Sequence, residues 1–162
     1  MSGDPLHVLF VCTGGSSRSV MAEALLNKLG RGRCVAFSAT AGREATMSAH
    51  AIEALRQTGY DISDLHPKSW NAFDKVQAPR LDAVITMSEK AKAASQPIWF
   101  SNPVRLHWGF ADPNAVADDD ACIAAHRRLF GDLEQQVLKM CALDFAGPHD
   151  PSLKAKLVSI AP

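Results

Sequence analysis

What most constrains this chain is the handover at residues 7–19. His7-Val8-Leu9-Phe10-Val11 is an apolar run of strand type that stops at Cys12-Thr13-Gly14-Gly15-Ser16-Ser17-Arg18-Ser19. Beyond it, Val20, Ala24 and Leu25 take helical spacing. A strand gives way to a helix through a glycine-rich turn, with a thiol at the junction. Two adjacent glycines let the backbone curl without a Cβ penalty, so that successive N–H groups converge on one point. Such a nest, backed by a helix N-terminus, attracts a tetrahedral oxyanion. Arg18 adds a planar guanidinium able to hold two oxygens of that anion.

The same positive field acts on Cys12. Thiols at helix N-termini beside cations have pKa values lowered to about 3.5–7.5, so the spacing predicts a nucleophilic thiolate at neutral pH. Ser19 is placed to donate a hydrogen bond to it. The expected oxyanion site is therefore Thr13, Gly14, Gly15, Ser16, Ser17, Arg18 and Ser19 around Cys12. As a small buried apolar residue Cys12 would need none of these neighbours. The two glycines, three hydroxyls and arginine at this spacing favour chemistry.

A chain of 162 residues is expected to form a single domain, 1–162, with a real core. It carries 17 basic and 17 acidic residues, a formal net charge of zero, and no basic block, which disfavours nucleic acid and charged membrane surfaces as partners. No apolar run approaches the roughly 18 residues of a membrane span. Met1-Ser2-Gly3-Asp4-Pro5 lacks a basic region leading into an apolar one, so a cytoplasmic location is expected. Cys12, Cys34, Cys122 and Cys141 show no C-x-x-C spacing; neither a zinc site nor a disulfide framework is indicated, and no cofactor is expected.

Along the chain, the spacing predicts a helix over 18–29, with Val20, Ala24 and Leu25 toward a sheet and Gly30 as its C′ residue. A second strand follows over 34–39, parallel to the first through a right-handed crossover. That puts Cys34 at the start of its strand and Cys12 at the end of its own, on opposite edges of the sheet. A helix over 47–58 turns Ile52 and Leu55 inward and ends at Gly59, with His50 near its start as a capping or surface residue rather than a catalytic base. Trp70 and Phe73 pack inward from a short helix. A third strand over 80–87 brings Ser88 to the same edge as Cys12. A short helix follows over 89–94, then a last strand over 104–108, approached through 97–100. A long helix over 118–143 carries an apolar stripe of Ile123, Phe130, Leu133, Val137 and Met140. Asp118, Asp119 and Asp120 at its start suit the helix dipole better than a metal, and a short helix over 152–160 closes the chain. The fold class expected is α/β, a doubly wound four-stranded parallel sheet with helices on both faces.

A second informative stretch is Ala111-Asp112-Pro113-Asn114, where the proline fixes a turn that carries a carboxylate. Alone it reads as an Asx turn; with the cysteine loop it reads as part of a site. Cys12-x5-Arg18-Ser19 together with Asp112-Pro113 resembles the low-molecular-weight protein tyrosine phosphatase superfamily, over residues 6–137. The stretch from Ser48 to Ser63 is similar to the superfamily's arsenate reductase branch. The resemblance implies that Asp112 hangs over the oxyanion pocket as general acid, a role worth roughly 10²–10⁴ in rate. It also implies an arsenate, phosphate or aryl phosphate as the tetrahedral ligand.

The departures from the family are specific. Thioredoxin-linked arsenate reductases carry two further cysteines where this chain has Ser88 and Gln96, so arsenate reduction here needs an external thiol such as glutathione, mycothiol or a glutaredoxin. The phosphatase branch usually has asparagine at the position of Gly15, often cysteine at that of Ser17, and tyrosine near Asn114 and Ala115. Three readings stay open: an arsenate reductase-like enzyme resolved by an external thiol, a phosphomonoesterase working through a cysteinyl phosphate, and an oxyanion-binding domain without turnover. Binding alone requires neither the thiol nor the acid. Arg18 speaks against the phosphocysteine carriers of sugar transport, which share a similar loop.

Overall fold

The structure, a computed structural model, describes residues 3–13, 17–42, 46–63, 65–66 and 68–162. Strand β1 (Leu6–Cys12) is buried at every position except the partly exposed His7. Burial on both faces is what a central strand of a parallel sheet requires, and it explains the nearly unbroken apolar run. Beside it lie β2 (Cys34–Thr40), β3 (Ala83–Thr86) and β4 (Val104–His107), all parallel, in the order β2-β1-β3-β4. Leu6 stands opposite Cys34 and Cys12 opposite Thr40. Val11 stands opposite Thr86, and Thr86 opposite His107.

The chain moves to one side of β1 to form β2, then returns to the other side to form β3. Where the winding reverses, the connections leave in opposite directions and open a crevice at the carboxyl ends of the strands, the place where such sheets bind ligands. Cys12 is the last residue of β1 and so lies at that crevice.

Helix α1 (Ser17–Leu29), α2 (Ala49–Gln57), α4 (Asp119–Cys141) and α5 (Leu153–Ser159) contribute to the core around Leu6, Val8, Phe10, Ala36 and Ile85. The opposite side of β1 and β3, through Leu9, Val11 and Val84, packs against Trp70 and Phe73 of the 3-10 turn Trp70–Phe73, Trp99, and Ala91 of the short α3 (Glu89–Ala93). Both faces are thus covered, one by long helices and the other by short turns and aromatic rings.

Two details differ from expectation. Gly30 is no left-handed C′ residue: the turn is made by Arg31 (φ 49°) and Gly32 (φ 81°). Glycine is needed at 30 for space, since a Cβ there would lie 2.6 Å from the Leu26 carbonyl oxygen. Gly59, by contrast, follows α2 with φ 78° as expected. The buried stripe of α4 is Cys122, His126, Leu129, Leu133, Gln136, Val137 and Met140, while Ile123 and Phe130 are only partly buried. Apolar periodicity cannot register a stripe that includes a histidine and a glutamine whose polar atoms are paired inside. The segment 97–100 leads toward β4 without forming a strand, as expected; Trp99 is buried and its indole N–H donates to Gln96 Oε1 at 2.9 Å.

Candidate active site

The sulfur of Cys12 lies 2.9 Å from the hydroxyl oxygen of Ser19, the third residue of α1, and the cysteine is wholly buried. The end of β1 therefore lies against the first turn of α1. Thr13 Oγ1 lies 3.0 Å from Ser88 Oγ, and that serine oxygen also accepts the Ala91 N–H as the N-cap of α3. Ser88 is thus on the same edge as Cys12, and the exit of β1 is tied to the exit of β3.

Arg18 is 5% exposed. Its Nη1 donates to the Phe110 carbonyl and its Nη2 to the Thr13 carbonyl, each at 3.0 Å, and Nη2 stands 3.9 Å from Asp112 Oδ2. Asp112 caps the 3-10 turn Pro113–Ala115, its Oδ1 accepting the Asn114 backbone N–H at 2.9 Å. Cys12, Arg18, Ser19 and Asp112 are thereby joined through direct contacts and one short stretch of backbone. Gly14, Gly15 and Ser16 lie outside the described residues. Ser17, expected in the oxyanion loop, is the first residue of α1; its hydroxyl pairs with His126 Nε2 at 2.9 Å and accepts from Asn114 Nδ2 at 2.8 Å. That hydroxyl is turned toward α4 because α4 supplies a buried ring nitrogen there.

The expectation of a lowered Cys12 pKa needs correction. Burial pushes the thiol up; the Ser19 hydroxyl and amide, then the Arg18 guanidinium, oppose it, while the Asp112 carboxylate adds to the rise. Among the described groups, loss of water outweighs the donors. Burial likewise pushes the His126 imidazole down, with the nearby His50 ring reinforcing the effect.

His126, Asn114 and Phe110 are the residues that sequence reasoning missed. Asn114 sits two places after Asp112, and a polar residue on the buried face of α4 was the signal for His126. His50 reaches α4 instead of capping α2: its Nε2 lies 2.6 Å from Asp119 Oδ1 and its Nδ1 3.5 Å from Cys122 Sγ, while Ser48 provides the cap. The Cys122 thiol donates to the Pro113 carbonyl at 3.3 Å. Cys34 begins β2, at the far end of the sheet from Cys12, and burial pushes its thiol up to about 12. Among the described residues no group of three or more His, Cys, Asp or Glu side chains is arranged to hold a metal. None of the helices among those residues is long and apolar enough to cross a membrane.

Residues 7–143 match the profile described as low molecular weight phosphotyrosine protein phosphatase. The chain belongs to that family. Within the low molecular weight phosphatase family it is similar to an arsenate reductase of Halalkalibacterium halodurans, 33% identical over 132 residues that span 80% of this chain and 91% of that protein. It is 36% identical over 111 residues to arsenate reductase 2 of Staphylococcus haemolyticus, across 68% of this chain and 80% of the other. Among solved structures, the low molecular weight protein tyrosine phosphatase from T. tengcongensis superposes with a TM-score of 0.64 at 28% identity, covering 83% of this chain and 97% of that one. An arsenate reductase in its reduced state shares the fold, with a TM-score of 0.66 at 23% identity over 85% of this chain and 97% of the other. The family's reductases and phosphatases are both enzymes.

Proposed function

We propose that this chain is an arsenate reductase in which Cys12 is the nucleophile and an external thiol completes the reduction. The observation that carries the reading is the Ser19 hydroxyl 2.9 Å from the Cys12 sulfur, with the adjacent Arg18 within 3.9 Å of the Asp112 carboxylate. A nucleophile, a cation and a proton donor at one sheet edge are what attack on a tetrahedral oxyanion requires. The similarity to arsenate reductases over four-fifths of the chain supports arsenate as that anion.

Arsenate enters as a dianion against Arg18, and one of its oxygens takes the thiol proton. The thiolate, favoured by Ser19 and Arg18 against burial, forms a sulfur–arsenic bond. Asp112 protonates the departing oxygen so that it leaves as water. An external thiolate then attacks the Cys12 sulfur; the sulfur–arsenic pair returns to arsenic, which departs as arsenite, reduced from As(V) to As(III). A second external thiol reduces the mixed disulfide and restores Cys12.

An external thiol is required because Ser88 and Gln96 stand where the thioredoxin-linked relatives carry their further cysteines. The same absence favours one second reading, hydrolysis of an aryl phosphate through a cysteinyl phosphate that water resolves. The two separate in paired assays: p-nitrophenyl phosphate hydrolysis, and arsenite formation with glutathione, mycothiol or a glutaredoxin supplied. Arsenite released with at least one thiol supports reduction; aryl phosphate turnover with no arsenite under any thiol overturns it. Cys12→Ser abolishes either reaction. Asp112→Ala slows ester cleavage more than arsenate attack, since arsenate sheds a water-like group.

A further inference from the structure

One line of hydrogen bonds runs from the inside of α4 to Asp112. His126 Nδ1 lies 2.8 Å from the Cys122 carbonyl one turn earlier. A carbonyl only accepts, so in the neutral ring Nδ1 carries the proton and Nε2 offers its lone pair. Ser17 Oγ, 2.9 Å away, donates to that lone pair. The serine oxygen in turn accepts from Asn114 Nδ2 at 2.8 Å, and the same amide nitrogen donates to Asp112 Oδ1 at 3.2 Å. His126 and Ser17 are 1% and 2% exposed, so water does not compete for these bonds.

We propose that His126 and Ser17 are positioning residues for Asp112, holding the Asn114 amide so that Oδ1, which already accepts the Asn114 backbone N–H at 2.9 Å, takes a second donor and Oδ2, the oxygen nearer Arg18, is the one that delivers the proton. This rests on the reading of Asp112 as proton donor. The reason lies in the direction of the serine proton. With the ring as acceptor, Ser17 presents only lone pairs to Asn114, and the amide must turn its NH₂ toward both Ser17 and the carboxylate. Without the ring, the hydroxyl is free to donate to the asparagine oxygen, and the amide flips. It then sets an oxygen against the Asp112 carboxylate, and Oδ1 keeps only the backbone N–H of Asn114, so the acid is held by one donor in place of two. Asn114 itself belongs to the same device, being the piece that touches the acid.

The test uses the full chain and a series of aryl phosphates, from dinitrophenyl phosphate, whose leaving group needs no proton, to phenyl phosphate, whose leaving group does. If Asp112 is the acid, the kcat loss in Asp112→Ala grows along the series. His126→Phe, Ser17→Ala and Asn114→Ala should then follow the same trend with about a tenfold loss on phenyl phosphate and less than about twofold on dinitrophenyl phosphate. Inhibition by inorganic phosphate should stay unchanged, and His126→Gln, whose amide oxygen can accept the hydroxyl, should recover most of the loss. A general disturbance of folding would lower all substrates alike, and Asn114→Ala severs the link without touching the core. A leaving-group trend in Asp112→Ala that is absent from the other three overturns the positioning role and leaves the acid in place. A flat response in Asp112→Ala removes the acid itself. Should aryl phosphates not turn over, the nitrogen–proton NMR signals of the Asn114 side-chain amide decide instead: they should move in His126→Phe and return toward their original positions in His126→Gln, and signals unmoved in His126→Phe overturn the proposal.

Discussion

Cys12 and Ser19 show how two residues seven apart come to share one hydrogen bond at 2.9 Å. The serine oxygen either accepts from the thiol or donates to the thiolate, and only the second favours ionisation. Because burial pushes the Cys12 thiol up and Ser19 is the foremost group pulling it down, Ser19→Ala should move the pH midpoint of Cys12 alkylation upward. Iodoacetamide labelling followed by mass mapping across pH 6–10 (a window of roughly two units about the ordinary thiol value) reads it directly. A midpoint that stays or falls would mean that the serine serves packing alone. The residue pattern was legible because glycines, hydroxyls and an arginine beside a cysteine have few other uses at a strand end. The rise in pKa was not, since it follows from the burial of Cys12 in a core assembled from segments far apart in the chain.

At the scale of elements, an edge strand leaves backbone groups facing outward, and β2 is an edge of this sheet. Asn27 of α1 meets that need: its Oδ1 accepts the Ala36 N–H at 2.8 Å and its Nδ2 donates to the Ala36 carbonyl at 3.1 Å. Asn27→Ala strands both groups and should cost about 1–3 kcal/mol, visible as a Tm lowered by roughly 2–10 °C. An unchanged melting curve would show that water replaces the amide. Near the carboxyl end, Asp150 accepts from Ser152 Oγ at 2.6 Å, Lys156 Nζ at 2.9 Å, and the Ala146 and Ser152 amides, and Lys156 also reaches the Asp144 carbonyl. These donors, the Ser152 hydroxyl first, hold the carboxyl well below the usual carboxylate range. The unfolded chain therefore takes up this proton first as acid is added. The stabilisation is fully present above the ordinary value of about 4 and is lost as pH falls toward the lowered one. Asp150→Asn should flatten the acid limb of a stability–pH curve and leave a smaller pH dependence below 4; an unaltered limb would assign acid unfolding to other carboxylates. Helix ends such as Ser48 and Gly59 were readable from local chemistry, whereas Asn27 pairs with a strand that only folding places beside it.

For the molecule as a whole, the winding of the sheet separates the thiols. Cys12 and Cys34 lie at opposite ends of adjacent strands, six residue steps or roughly 20 Å apart along the strand direction. Cys141 is the last residue of α4 and Arg33, the residue before Cys34, donates to its carbonyl at 2.8 Å, so these two belong to the end of the sheet away from the site. If reduction draws on an external thiol, the double variant Cys34→Ala/Cys141→Ser should retain arsenite formation within about twofold, a change below 0.5 kcal/mol in barrier. A collapse of turnover with folding intact would call for an internal thiol relay. The sequence by itself determined the first strand and the helix after it with their thiol and arginine, the parallel α/β class, the Asp-Pro turn and the separation of Cys34 from Cys12, because each follows from local backbone geometry or from period and direction along one element. The tertiary structure alone decided that Ser17 turns away to His126, that the Asn114 amide links Ser17 to Asp112, and that the nucleophile is dry enough for its pKa to rise. Those outcomes depend on which side chains from distant segments share a small volume, and pairwise hydrogen bonding and desolvation act only once the volume is closed.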